Sequence, residues 1–218
     1  MKPRIKVFPS LFAADFGRLA DEAKRLEDAG ADGIHMDIMD GHFVPNLTLG
    51  PKALAAVNRA TSLFLDVHIM VYNPFDLIEK LVESGADQIT FHIEATEEVE
   101  EILRYIRTCN VRAGLAFNPS TSSSLVMPYI GKADTLLAMS VNPGFGGQAF
   151  IPEVLEKIED LHQEIQVRKQ DTWLEVDGGV NNTTAPMAKK AGANVLVVGT
   201  YLFQQKDLQS TILALKDE

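Results

Sequence analysis

This sequence predicts an α/β fold, a closed parallel (β/α)8 barrel, on three observations. Eight short apolar, strand-like runs alternate with amphipathic helical stretches along 218 residues. One short register, Ala29-Gly30-Ala31-Asp32, recurs as Ser84-Gly85-Ala86-Asp87 and Ala191-Gly192-Ala193-Asn194, with a weaker echo at Gly131-Lys132-Ala133-Asp134. Residues able to do chemistry cluster at strand C-terminal ends, where such barrels carry their active sites. An open doubly wound sheet is the competitor. No G-x-G-x-x-G turn follows the first strand, and eight units suit closure better.

Taken in order, strands fall near 5–11, 34–40, 63–71, 88–94, 112–118, 135–141, 172–178 and 195–200. Helices fill most gaps, as Asp15–Ala29, Pro74–Ser84, Glu97–Thr108, Pro152–Arg168 and Asp207–Leu215, with a short one around Pro51–Arg59. Leu77, Ile78, Leu81 and Val82 keep helical spacing, as do Val154, Leu155, Ile158, Leu161 and Ile165. In the recurring register the glycine acts as the helix stop before the next strand. Residues 1–218 read as one domain, without linker or low-complexity run.

Composition bounds the function. Hydrophobic content of 46% and charged content of 23% are those of ordinary soluble globular proteins. No apolar run reaches the roughly 18–20 residues that span a bilayer, and Pro9-Ser10 interrupts the basic start before a signal-peptide core forms. A cytoplasmic protein is expected. A net charge of −10 argues against a nucleic-acid binder but leaves room for a small anion held by backbone N–H groups. The single Cys109 excludes an intrachain disulfide and reads as an inert thiol.

Strand alternation places His35, Asp37 and Met39 on one face, Asp66, His68 and Met70 on another, and Glu175, Asp177 and Gly179 on a third. A lone inward histidine is ordinarily a hydrogen-bonded core residue. Four residues at strand ends, His35, Asp37, His68 and Asp177, are harder to dismiss, because unpaired buried charges are costly. They are the candidate ligands of one divalent metal. Mixed imidazole and carboxylate donors favour Zn, Fe(II), Mn or Co over Mg. Asp66 and Glu175 lie one layer deeper as supporting candidates, and His92 lines the interior with no assigned role.

Glycine-rich turns follow the last three strands, at Gly144, Gly146 and Gly147, at Gly178 and Gly179, and at Gly199 beside Thr200. Every βα junction uses some glycine, but three rich junctions in succession point to a phosphate cradle. The long loop after the sixth strand is a candidate lid. Met39, Met70 and Met139 stand at strand ends, ordinarily core filler, here a soft wall for the reacting carbons.

From end to end the chain resembles the ribulose-phosphate 3-epimerase family. The stretches that carry the resemblance are Pro9-Ser10-Leu11 with Ala14-Asp15-Phe16, His35 through Asn46, Asp66 through Met70, Met139 through Gln148, and Glu175 through Gly179. The resemblance implies a TIM barrel that interconverts D-ribulose 5-phosphate and D-xylulose 5-phosphate in pentose phosphate metabolism. It implies a divalent metal on His35, Asp37, His68 and Asp177, with Asp37 and Asp177 as the acid/base pair acting through an enediolate. It also implies Ser10 near the substrate, His68 among the substrate contacts, and a homo-oligomer, dimer or hexamer. Ala13 stands where serine is common in the family, and Thr200 where serine is frequent, keeping the hydroxyl. Allulose-6-phosphate 3-epimerases tend to read D-G-S after the seventh strand, where this chain has Asp177-Gly178-Gly179. Orotidine-type decarboxylases carry a lysine pattern on the third strand that His68-Ile69-Met70-Val71 lacks. A non-catalytic metabolite-binding barrel is the remaining alternative, and it would not need two opposed carboxylates.

Overall fold

The computed structural model describes residues 4–217. The strands are β1 (Lys6–Pro9), β2 (Gly33–Met39), β3 (Phe64–Met70), β4 (Gln88–His92), β5 (Arg112–Phe117), β6 (Thr135–Met139), β7 (Trp173–Asp177) and β8 (Val195–Val198). All eight pair parallel in the order β1-β8-β7-β6-β5-β4-β3-β2. A single parallel bridge between Ser10 and His35 joins β1 to β2 and closes the cylinder. This is the (β/α)8 TIM barrel.

The α-helices are α1 (Leu19–Asp28), α2 (Pro51–Asn58), α3 (Ile78–Glu83), α4 (Val99–Thr108), α5 (Ser123–Val126), α6 (Val154–Arg168), α7 (Thr184–Ala191), α8 (Thr200–Phe203) and α9 (Leu208–Lys216). The expected helix over Asp15–Ala29 opens as a 3-10 turn at Phe16–Arg18, because the Asp15 side chain accepts Gly17 N–H and caps it there. The expected helix from Pro74 likewise opens as a 3-10 turn, Pro74–Leu77. Several strands stop short of their expected ends: β1 ends at Pro9 because Ser10 caps the next 3-10 turn through its hydroxyl. Buried positions on α4 fall at Val99, Ile102, Leu103 and Ile106, one stripe facing the sheet. None of the described helices is long and apolar enough to cross a membrane.

The recurring register has a structural reason. The N–H of Asp32, Asp87, Asp134 and Asn194 donates to the carbonyl of Val7, Leu65, Ala113 and Leu174 respectively. The side-chain oxygen of each accepts the N–H of that same residue, at 2.8–2.9 Å. Each therefore clamps the start of one odd-numbered strand to the entrance of the even-numbered strand that follows. Four clamps fix the relative height of four strand pairs.

Alternate strand residues then divide two environments. Ile34, Met36, Ile38, Val67 and Ile69 belong to the apolar layer under the helices. Their neighbours His35, Asp37, Asp66 and His68 are buried inside the barrel. The N-terminal end of the barrel is plugged by Phe8, Phe64 and Trp173, with the Arg112 guanidinium 3.8 Å from the Trp173 ring centre. The C-terminal end stays open.

Candidate active site

A cleft of about 880 Å³ occupies the open end. Ser10, Asp37, Met39, Met70, Met139 and Asp177 line its floor, and Gly144, Gly146, Gly147, Gly178, Gly179, Gly199 and Thr200 line its rim. Residues from both ends of the sequence thus meet in one depression. His35 and His68 are fully buried and do not line the cleft. His68 lies beneath the floor, beside Asp37.

Pairing of β2 with β3 sets His35 beside Asp66, Asp37 beside His68 and Met39 beside Met70. Across the barrel, β6 sets Met139 beside Asp177. One ligand atom from each of His35, Asp37, His68 and Asp177 lies within 4.8 Å of the others, a candidate metal-binding cluster. His35 Nδ1 is 2.6 Å from Asp66 Oδ2, which turns Nε2 toward Asp37 Oδ1 at 3.4 Å and Asp177 Oδ2 at 4.0 Å. That Nε2 is buried without a hydrogen-bond partner. His68 Nδ1 is 3.2 Å from the same Asp37 Oδ1. Two imidazole nitrogens and two carboxylates aimed at one point are a donor set that fits a divalent transition ion.

Residues 6–203 match the Ribulose-phosphate 3 epimerase family. The chain belongs to this family. The Ribulose-phosphate 3-epimerase of Chlamydia pneumoniae is 49% identical over 218 residues, covering 98% of this chain and 95% of its own length. The Ribulose-phosphate 3-epimerase of Bacillus subtilis (strain 168) is 44% identical, covering 95% of this chain and 96% of its own. Among solved structures, a mutant tryptophan synthase alpha-subunit from Pyrococcus furiosus superposes with a TM-score of 0.70 at 15% identity, covering 99% of this chain and 97% of that one. That last likeness shows the barrel fold and nothing more. The chain is an enzyme, an isomerase of the carbohydrate-epimerase kind.

In this ribulose-phosphate 3-epimerase family member the two carboxylates differ electrostatically. Burial opposes ionisation of Asp37, but the His35 charge 3.4 Å away and the hydrogen bond from His68 hold it well below the usual carboxylate range. Burial, and then the charge on Asp37, push Asp177 up to about 7. Burial works against a charged His35, yet Asp37 and Asp66 overcome it and raise its pKa well above normal. Glu175 lies with its Oε1 3.5 Å from His35 Nδ1, and burial together with Asp66 raises its carboxyl well above the usual range.

Several supporting residues carried no sequence signal. Gln88 Nε2 donates to Asp66 Oδ1 at 2.7 Å, and Thr135 Oγ1 donates to Gln88 Oε1 at 2.6 Å, so three strands hold the partner of His35. Thr48 Oγ1 donates to the Asp37 carbonyl at 2.6 Å. Asn46 Nδ2 donates to the Gly144 carbonyl at 2.8 Å, tying the loop after β2 to the loop after β6. The stretch His35 through Asn46 contains Asn46, but a role for it depends on a contact 98 positions away.

At the rim, Gly178 has φ +118 and Gly179 φ +64, and a Cβ on either would sit 2.5 Å from Val141 or from the Phe150 backbone. Gly199 differs. Its added Cβ would meet nothing nearer than Ala13 Cβ at 3.5 Å. Backbone at these turns can approach an anion closely because no side chain stands in front of it.

Proposed function

We propose that this chain inverts C3 of a ketopentose phosphate, interconverting D-ribulose 5-phosphate and D-xylulose 5-phosphate. One observation carries the reading: two carboxylates, Asp37 and Asp177, share the cleft floor from facing strands. Inversion needs a proton taken from one face of C3 and another returned to the opposite face. Asp37 and Asp177 are the two groups placed to do this, one removing the proton and the other returning one. In the reverse direction the roles exchange, so the pair titrates as one coupled unit.

His35, Asp37, His68 and Asp177 would hold the metal, one per chain, with Zn, Fe(II), Mn or Co matching the donor set better than Mg. When bound, it supplies Lewis-acid stabilisation of the negative charge that develops on the C2 and C3 oxygens. Ser10 orients Asp37 by donating to Oδ2 at 2.8 Å. Gly146, Gly147, Gly178, Gly179, Gly199 and the Thr200 hydroxyl form the cradle for the phosphate, with Gly144 at its edge. Met39, Met70 and Met139 give the carbon skeleton an apolar wall. The loop after β6 serves as the lid that excludes water. The setting that goes with this reading is a homo-oligomer in the cytoplasm.

The test compares turnover of ribulose 5-phosphate and allulose 6-phosphate by the purified chain, before and after chelation and after adding back each metal. Preference for the pentulose, loss on chelation and recovery with a transition ion are expected. Turnover of the hexulose alone, or full activity without metal, would overturn the reading.

A further inference from the structure

β2 and β6 stand opposite each other in the cylinder, with three strands between them in either direction. The loop after β6 nevertheless reaches the loop after β2. Gly144, at φ +113, lies so close to Val44 that an added Cβ would sit 3.0 Å from the Val44 Cβ, and its carbonyl accepts Asn46 Nδ2 at 2.8 Å. Together the two loops span the mouth of the cleft. Ile151 N–H donates to the Ser140 carbonyl at 2.8 Å and pins the base of the β6 loop. Gln148 Nε2 donates to the Asn142 and Phe145 carbonyls, at 2.7 and 2.9 Å, and braces its turn.

The Asn46 amide points only one way, because its Oδ1 accepts the Leu47 N–H at 2.9 Å while Nδ2 faces a carbonyl. From Asn46 the chain runs back along the end of β2, with Leu47 in an antiparallel bridge to Asp40. Thr48 then stands in for a missing strand. Beyond the Ser10–His35 bridge, no strand among the described residues pairs with β2 on its β1 side. There Thr48 Oγ1 donates to the Asp37 carbonyl at 2.6 Å and accepts the Met39 N–H at 3.0 Å. These are the two backbone groups that a parallel neighbour would bind across from Ile38. One short segment thus touches the loop over the cleft at one end and the strand end carrying Asp37 at the other.

We propose that Asn46 and Thr48 are positioning residues that couple closure of the β6 loop to the placement of Asp37. Asn46 latches the loop through the Gly144 carbonyl, and Thr48 sets the strand end that presents Asp37 and Met39 to the cleft. This rests on the reading of Asp37 as a proton carrier and of the β6 loop as a lid. Coupling of this kind works in both directions: loosening the strand end opens the lid, and opening the lid loosens the strand end.

The test uses the full chain loaded with Co²⁺. It reads turnover of D-ribulose 5-phosphate, chymotrypsin cleavage after the exposed Phe145, and hydrogen exchange at the Met39 N–H. Asn46→Ala should speed cleavage after Phe145 about fivefold, the factor that one net hydrogen bond supplies, and should also speed exchange at Met39. Thr48→Val keeps the shape and loses the hydroxyl. It should speed the same cleavage and lower kcat roughly 10- to 100-fold with a smaller change in KM, since about 1 Å of misplacement carries that order of loss. Thr48→Ser keeps the hydroxyl and should restore both. The double variant Asn46→Ala/Thr48→Val should be cut no faster than the quicker of the two single variants.

Unchanged cleavage in Asn46→Ala would mean that Asn46 is no latch. If Thr48→Val lowers kcat without speeding cleavage, or the two effects on cleavage multiply in the double variant, lid and strand end are independent and the inference is wrong. Should Thr48→Val fail to fold, exchange at Met39 in Asn46→Ala decides by itself. If Asp37→Asn turns over as wild type does, the proton-carrier reading falls and this inference falls with it, even where cleavage behaves as expected.

Discussion

Ser10 Oγ donates to Asp37 Oδ2 at 2.8 Å, and the same residue forms the backbone bridge to His35 that closes the barrel. One residue thus joins the last gap in the cylinder to the orientation of a candidate proton carrier. With Oδ2 held by Ser10, Oδ1 faces His35 and His68. Ser10→Ala should leave the cylinder closed, because the bridge is backbone, but release Asp37. Turnover should fall roughly 10- to 100-fold, as for other outer partners of such sites. Steady-state rates beside a urea melt check this; unchanged turnover would mean that Ser10 does not position Asp37.

Asp177 ties stability to pH in the metal-free chain. Folding raises it from 3.8 to about 7, so between those values the folded chain keeps a proton that the unfolded chain has lost. Stability from this group is full below the unfolded value and falls as pH rises through the window. Asp177→Asn removes that loss. Above pH 7 the metal-free variant should melt higher than metal-free wild type by at least about 2–4 °C, the shift 1 kcal/mol gives a chain of this size. The difference should shrink toward pH 4. A calorimetric pH series decides it, and the variant should be inactive throughout.

Gly199 separates binding from folding. An alanine there meets no close neighbour and needs no positive φ, so the barrel should still fold. The new methyl would stand in the proposed phosphate cradle. KM should rise about tenfold, the effect of losing one hydrogen bond to a charged group, with kcat little changed. Gly179→Ala, at φ +64 and 2.5 Å from the Phe150 backbone, should instead lower stability outright.

The strand clamps make a prediction about the fold alone. Asp87 Oδ2 accepts Leu65 N–H at 2.8 Å, while the fourth clamp does the same work with Asn194 Oδ1. Asp87→Asn should therefore be nearly silent in a melt, and Asp87→Ala should cost about 1–2 kcal/mol for an orphaned backbone N–H. Equal losses would show that charge, and not the accepted bond, matters.

Much of this architecture is legible in the chain, for reasons that can be named. Period-2 alternation fixes that His35 and Asp37 share a face, and parallel register then brings Asp66 and His68 beside them. The repeated Gly-Ala-Asp marks each helix stop, although its second use as a clamp is visible only once the Leu65 and Ala113 amides are seen bonded to it. Strand ends are legible less well. Ser10 and Ser140 look like strand continuations, but the Ser10 hydroxyl caps a turn and the Ser140 hydroxyl bonds the Asp177 and Gly178 carbonyls. The His68–His92–Glu94 contacts and the Asn46–Gly144 tie depend on ring orientation and loop paths that no local pattern encodes. The burial of His68 below the floor belongs with them.

The proposed chemistry turns on two opposed acids, one for each face of C3. Early-conversion NMR of D-ribulose 5-phosphate turned over by the wild-type, metal-loaded chain in D₂O follows the hydrogen itself. Deuterium is expected at C3 of essentially all newly formed xylulose 5-phosphate, because the incoming hydron comes from a second acid equilibrated with solvent. Product that retains the substrate's own C3 hydrogen would mean that a single group carries it across, and the two-acid mechanism would be wrong.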